Sequence, residues 1–175
     1  MIKIIHAGYK NVEAVNFHYT QNDKNNYWFI TNMLSPYDML VSGEWKHFDK
    51  NQIIIFPPNT SVEYRSRHGE TIENNWIMFE TDEKFIINFP IPFCVPIHTI
   101  YQTGFDYIFH LISVENFWEN IYKAQSINHM FHLLFDKIYE SYYSYHKIPS
   151  TSIINLHLEI EANPNYPWTI EEMAD

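Results

Sequence analysis

The sequence predicts an α+β fold, an antiparallel β half followed by a helical half. Three observations lead there. From residue 1 to about 100 the chain is broken by prolines and short β-rich runs with turn residues between them, the pattern of a sandwich or barrel. No glycine follows Gly104, and no proline stands between Pro96 and Pro149. Between Ile127 and Tyr142 large apolar residues recur at helical spacing.

The elements come in order. Strands are expected at Val15–His18, Tyr27–Met33, Asp38–Ser42, Glu44–Phe48, Gln52–Phe56, Val62–Arg65 and Asn75–Glu80. In the helical half, Ile127, Met130, Phe131, Leu134, Phe135, Ile138, Tyr139 and Tyr142 form one wide amphipathic stripe. Ile153 to Glu161 reads as a last helix after the Pro149 break. Asn163 to Pro167 reads as a linker. Thr169 and Glu172 then have the spacing of a capping box, flanked by Trp168 and Met173 as a hydrophobic staple. A helix so well started and so short reads as the first turn of a domain that has been cut off. The chain thus divides into 1–102, 103–162 and 163–175.

Charge limits the partners. The formal net charge is −10, from 21 acidic against 11 basic residues. Neutralising phosphates takes clustered Lys and Arg, so this chain alone is not expected to bind DNA. A single cysteine, Cys94, excludes an intramolecular disulfide framework and reads as a buried free thiol. The run Met1–Ala7 is too short for a signal-peptide core, and no stretch approaches the roughly 18 apolar residues of a membrane span. The expectation is a soluble cytoplasmic protein.

Two blocks carry a family resemblance. Residues 163–174, with Trp168-Thr169-Ile170-Glu171-Glu172-Met173-Ala174, resemble the entry into the helix-turn-helix half of AraC/XylS-family transcription regulators. Leu40-Val41-Ser42-Gly43-Glu44-Trp45, Gln52-Ile53-Ile54-Ile55-Phe56-Pro57-Pro58-Asn59-Thr60, Tyr64 and Trp76-Ile77-Met78-Phe79 resemble the cupin-like jelly roll of that family's sensor domains. Asn59 stands where the family usually has Gly, and Asn tolerates positive φ well. The resemblance implies a cupin-like β effector-binding domain, a helical dimerisation segment, and DNA binding only through a missing C-terminal half. It implies a small-molecule effector and a homodimer. No cofactor is expected.

Alternation refines the candidate site. Asn74, Trp76 and Met78 share one face of their strand, opposite Asn75, Ile77 and Phe79, and Val62 and Tyr64 share a face of theirs. Both faces of the later strand are mostly apolar, so alternation leaves the inward face open. The resemblance selects Tyr64, Asn74 and Trp76 as effector-facing, with Ser42 as a fourth. A tryptophan face suits the C–H side of a sugar-like ring, and hydroxyl and amide groups fix its orientation. Core aromatics in a ligand-free barrel are the other reading of Trp76 and Tyr64. The stripe residues Phe131, Leu134, Phe135 and Ile138 are assigned to dimerisation. No catalytic or metal-binding residue is assigned. The His-x-His pattern of metal cupins is absent from the β half, and His129, His132 and Asp136 read as a solvated helix face. Arg65, Arg67 and His68 sit together in a loop-like stretch and read as a solvated turn, with an anion contact as the other reading. A stand-alone metal-dependent cupin enzyme and a carbohydrate-binding module without a regulatory role are the alternatives to the sensor.

Overall fold

The computed structural model describes residues 2–22, 24–118 and 121–147. The last helix and linker expected at 153–167 and the capping box at Thr169 lie outside the described residues. Contacts divide the chain into Met1–Tyr142 and Tyr143–Asp175, and the fold is that of the first unit.

Nine strands and three helices occur in the order β1 (Lys3–Glu13), β2 (His18–Gln21), β3 (Trp28–Met33), β4 (Tyr37–Val41), β5 (Glu44–Phe48), β6 (Gln52–Phe56), β7 (Val62–Arg65), β8 (Ile72–Glu80), α1 (Glu83–Ile87), β9 (Ile97–His98), α2 (Gln102–Phe117) and α3 (Lys123–Lys147) among the described residues. Two antiparallel sheets result, ordered β1-β8-β3-β6-β9 and β2-β7-β4-β5. The fold is a cupin-like β-sandwich followed by helices.

The five-stranded sheet is covered on both faces. Phe29 and Met33 of β3, Ile54 and Phe56 of β6 and Ile72 of β8 meet Tyr37, Met39, Val62 and Tyr64 of the other sheet. The alternate residues Trp28, Ile30, Ile53, Ile55, Ile77 and Phe79 join the cluster that holds Phe105, Ile108, Phe109 and Ile112 of α2 and Phe131, Leu134, Phe135 and Ile138 of α3. That double burial explains the run Ile53-Ile54-Ile55-Phe56 in β6 and the complete burial of β3, polar Thr31 and Asn32 included. It also resolves the open face of β8. Asn74, Trp76 and Met78 lie on the face toward the second sheet, and Ile77 and Phe79 lie toward the helices.

Turns agree with their residues. Val41 pairs with Glu44 across a two-residue loop in which Ser42 (φ 54°) and Gly43 (φ 84°) are both left-handed, as a type I′ hairpin requires. Asn59 has φ 60°, so asparagine does serve at this turn. Asp82 caps α1 by accepting from the backbone N–H of Lys84 at 3.0 Å.

Four sequence expectations need correction. The strand placed at Val15–His18 lies instead at His18–Gln21. Asn16 (φ 61°) turns the chain, Phe17 N donates to Ala14 O at 3.1 Å, and Val15 is exposed. β1, the longest strand, has no counterpart among the expected ones. Register shifts at Ile4/His6 and Gly8/Asn11 break its alternation, and Lys10 adopts φ 46°. Cys94 is exposed, not buried. Most important for function, Phe131, Leu134, Phe135 and Ile138 are each 0% exposed within this one chain. Their side chains pack on the sheet and α1, which makes them core residues of this chain. Phe131 packs edge-on against Phe79 with centroids 4.8 Å apart, and Phe135 meets Phe85 at 5.3 Å.

Truncation of Phe131 therefore reads as a core deletion. Phe131→Ala should lower the unfolding free energy by about 3–5 kcal/mol. Leu133→Ala, on the exposed flank of α3, should cost under about 1 kcal/mol. Urea unfolding at two protein concentrations checks both. A Phe131→Ala loss that appears only at low concentration would assign the residue to an interface after all.

Candidate functional site

Three of the four expected ligand residues share the face between the sheets. Tyr64 on β7 is 3% exposed and Asn74 on β8 is 1% exposed. Asn74 Nδ2 donates to Tyr64 Oη at 3.4 Å, a long bond. Asn74 Oδ1 is buried with no hydrogen-bond partner among the described residues. A buried amide oxygen without a donor costs about 1–3 kcal/mol. Burial pushes the Tyr64 hydroxyl well above the usual tyrosine range, reinforced by Tyr19 and opposed by the Asn74 contact. The phenol thus stays neutral and keeps both donor and acceptor capacity.

Trp76 completes the set. It is half-buried, and its indole lies over Gly8, its partner across the β1–β8 pair. A Cβ at Gly8 would come within 2.6 Å of Trp76 Cε2, so glycine is what lets the ring lie there. In register with Trp76 on its other side is Thr31 of β3, 0% exposed.

Ser42 is not part of this group. It is exposed on the β4–β5 turn. Tyr19 and Gln21, which sequence reading misses, do belong to it. Tyr19 stacks on Tyr64 with centroids 4.9 Å apart and donates to Gln21 Oε1 at 2.9 Å. Gln21 Nε2 in turn donates to Thr60 O at 3.3 Å. The alternation of His18-Tyr19-Thr20-Gln21 carries the signal, but a strand placed three residues too early hides it.

Three clefts formed by described residues open at the surface, and none of the three is lined by Ser42, Tyr64, Asn74 or Trp76. One of about 570 Å³ is apolar, walled by Trp28, Pro57, Ile86, Phe89, Ile91 and Phe93. One of about 490 Å³ lies between α2 and α3 at Tyr101, Tyr107, Leu133 and Lys137. The third, about 410 Å³, is polar and includes Asp38, Arg65 and His68. Among the described residues no group of three or more His, Cys, Asp or Glu side chains is arranged to hold a metal. On α3, His129 and Asp136 are exposed, and the His132 ring packs edge-on against Phe85 at 4.8 Å. No described helix is long and apolar enough to cross a membrane.

No protein-family model and no curated protein sequence matches the chain. Among solved structures it is similar to ToxT from Vibrio cholerae, an AraC-family regulator, at 13% identity and a TM-score of 0.50; the match covers 98% of this chain and 69% of ToxT. At that identity the shared property is the fold. The chain is also similar to the AraC-like transcriptional activator CuxR, at 7% identity over 89% of this chain and 60% of CuxR, TM-score 0.45. A third is the cupin domain of an XRE-family transcriptional regulator from Enterobacter cloacae, at 12% identity over 47% of this chain and 97% of that domain, TM-score 0.35.

The Gly8–Trp76 contact gives a direct check on the site. Gly8→Ala must displace the indole and should cost about 1–3 kcal/mol of stability. It should also shift tryptophan emission, and that shift should vanish in a Trp76→Phe background. Unchanged emission and stability would mean that the ring does not rest on Gly8.

Proposed function

We propose that this chain is the effector-sensing part of an AraC-type transcription regulator, and not an enzyme. The effector is a small polar, sugar-like or similarly hydroxylated molecule held between the sheets by Tyr64, Asn74 and Trp76. The observation that carries this reading is the buried Asn74 Oδ1, which has no hydrogen-bond donor among the described residues and lies beside a neutral phenol. A ligand hydroxyl supplies the missing donor, and satisfying a buried polar group is worth more than adding a new exposed contact. Trp76 offers a ring face for the apolar side of the same molecule. The paired motifs around Phe56-Pro57-Pro58 and Trp168-Thr169 support the regulatory role, and the shared fold with ToxT is compatible with it. Ser42, exposed on its turn, is left out of the ligand set. At −10 the chain is a poor partner for the polyanionic backbone of DNA, so DNA contact belongs to another part of such a regulator.

The mechanism is differential affinity. The ligand shifts the protein toward whichever arrangement lets Tyr64, Asn74 and Trp76 close on it, by no more than the difference in its binding free energy between states.

A thermal-shift screen of hydroxylated small molecules tests the proposal. At least one should raise the melting temperature, and Trp76→Ala should weaken its binding about tenfold through loss of the stacking surface. Asn74→Ala should weaken it by a similar factor. If Trp76→Ala loses stability while keeping full affinity, Trp76 is packing and the pocket lies elsewhere. Stabilisation only by apolar compounds, abolished by Trp28→Ala, would move it to the 570 Å³ cleft. Stoichiometric transition metal in the purified chain would favour a cupin enzyme.

A further inference from the structure

The chain has only two arginines, Arg65 and Arg67; Arg65 lies on the face of β7 turned away from the other sheet, and Arg67 follows two residues after that strand. Arg65 comes after Tyr64 on β7, so the side chain next to the intersheet phenol points the opposite way. Strand register sets His18, Arg65, Asp38 and His47 side by side across β2, β7, β4 and β5. This row could not be read from the sequence, where its members are scattered over residues 18–65.

We propose that the cleft at Arg65 is a binding site for a small oxyanion, a carboxylate or phosphate carried on a compact organic molecule. It is separate from the intersheet site and does not rest on it. Arg65 is already oriented. Its guanidinium carbon lies 3.9 Å above the Trp45 ring centroid, and Nε is 3.5 Å from Asp38 Oδ2. Its two terminal nitrogens donate to no described residue. Stacking on one face and an anchor at Nε leave the terminal N–H groups of the fork for a ligand, the geometry in which arginine binds carboxylate or phosphate best. Arg67 is not an equivalent, because its Nε donates to His47 Nδ1 at 3.0 Å.

The cleft of about 410 Å³ is within the size range of small-molecule sites. Phe17 forms an apolar wall in it, and His18 and His68 line it as well. The turn that presents His68 is braced. Ser66 N donates to Phe17 O at 2.9 Å, and Gly69 N donates to Asn16 Oδ1 at 2.9 Å. Three carboxylates, Asp38, Asp49 and Glu63, lie in the same region, each beside a basic side chain. Asp38 Oδ2 lies 3.5 Å from Arg65 Nε, Glu63 Oε1 lies 2.8 Å from His18 Nε2, and Asp49 Oδ1 lies 3.9 Å from His47 Nε2. A chain of net charge −10 thus gathers both arginines and three histidines at one corner, which a merely solvated face does not require.

The test uses the arginine count. The Nε–Hε region of a ¹⁵N-correlated NMR spectrum contains one signal for Arg65 and one for Arg67. Inorganic phosphate and benzoate are titrated separately at constant ionic strength. The Arg65 signal should move and saturate with both probes, with benzoate the tighter because its ring meets Phe17. Arg65→Lys should weaken both about tenfold, since lysine lacks the fork. Should that change disturb Trp45, His68→Ala offers a second variant, because its exposed ring makes no hydrogen bond or ring contact with described residues; it should weaken both probes by a few-fold. Saturation with phosphate alone would assign the site to phosphate esters, and with benzoate alone to carboxylates. Linear shifts, equal movement of Arg67, or unchanged affinity in both variants would overturn the proposal. So would binding of heparin or duplex DNA with no response to either small probe.

Discussion

The structure depends on a sheet that has no solvent face. β8 pairs with β1 and β3, and β3 with β6, so three neighbouring strands send alternate side chains into two different cores. Period-two alternation then fixes every role. Asn74 and Trp76 face the second sheet, and Asn75, Ile77 and Phe79 face the helices. A slip of one residue in the β3–β8 register would exchange the two sets, placing Ile77 where the ligand residues belong and Trp76 against α3. Fully buried Ile30, Ile53, Ile55 and Phe79 on one side, with Phe29, Met33 and Ile54 on the other, set the penalty for such a slip. The candidate site is therefore a consequence of core packing on both faces.

The same arrangement places a polar seam behind the candidate site. Asn75 sits between Asn74 and Trp76 in sequence but on the opposite face. Its Nδ2 donates to Asp106 Oδ1 of α2 at 3.0 Å, and its Oδ1 accepts from Lys10 N at 2.7 Å. Gln102 Nε2 donates to the same Asp106 oxygen at 3.0 Å, and Thr99 Oγ1 donates to Gln102 Oε1 at 2.8 Å. A polar seam thus ties the middle of β8 to the first turns of α2. Any backbone adjustment that lets Trp76 or Asn74 close on a ligand acts on this seam through a single peptide link. Polar networks in low-dielectric surroundings have few alternative arrangements, which suits them to passing on a discrete change.

Much of this is legible in the sequence, and the failures have physical causes. Central strands such as β6 and β7 are readable because burial enforces β-branched and aromatic residues there. The resemblance picks out Tyr64, Asn74 and Trp76, but alternation cannot give the facing of Asn74 and Trp76, because β8 is mostly apolar on both sides; the structure puts all three on one face. Ser42 is misplaced by one step: Ser42 and Gly43 are the two turn residues of a hairpin, whereas the sequence pattern makes Ser42 the end of its strand. β1 escapes notice because its bulges and Gly8 destroy alternation, yet Gly8 is what seats Trp76. The α3 stripe is legible in the sequence, but not how much of it one chain buries: Phe131, Leu134, Phe135 and Ile138 are 0% exposed. A stripe so wide suggests a shared interface, whereas here Phe79, Phe85 and the sheet consume it. The Arg65 row depends on register across four strands, which one sequence does not specify.

The effector is proposed to bind between the sheets at Tyr64, Asn74 and Trp76, and the sensing role rests on that placement. Crystallising the chain with a compound that raises its melting temperature tests this most directly. The predicted result is density for that compound against the Trp76 ring, with one of its hydroxyls donating to Asn74 Oδ1 and another polar group bonded to Tyr64 Oη. Density in the Trp28–Phe93 cleft instead, with the intersheet face unchanged, would contradict it.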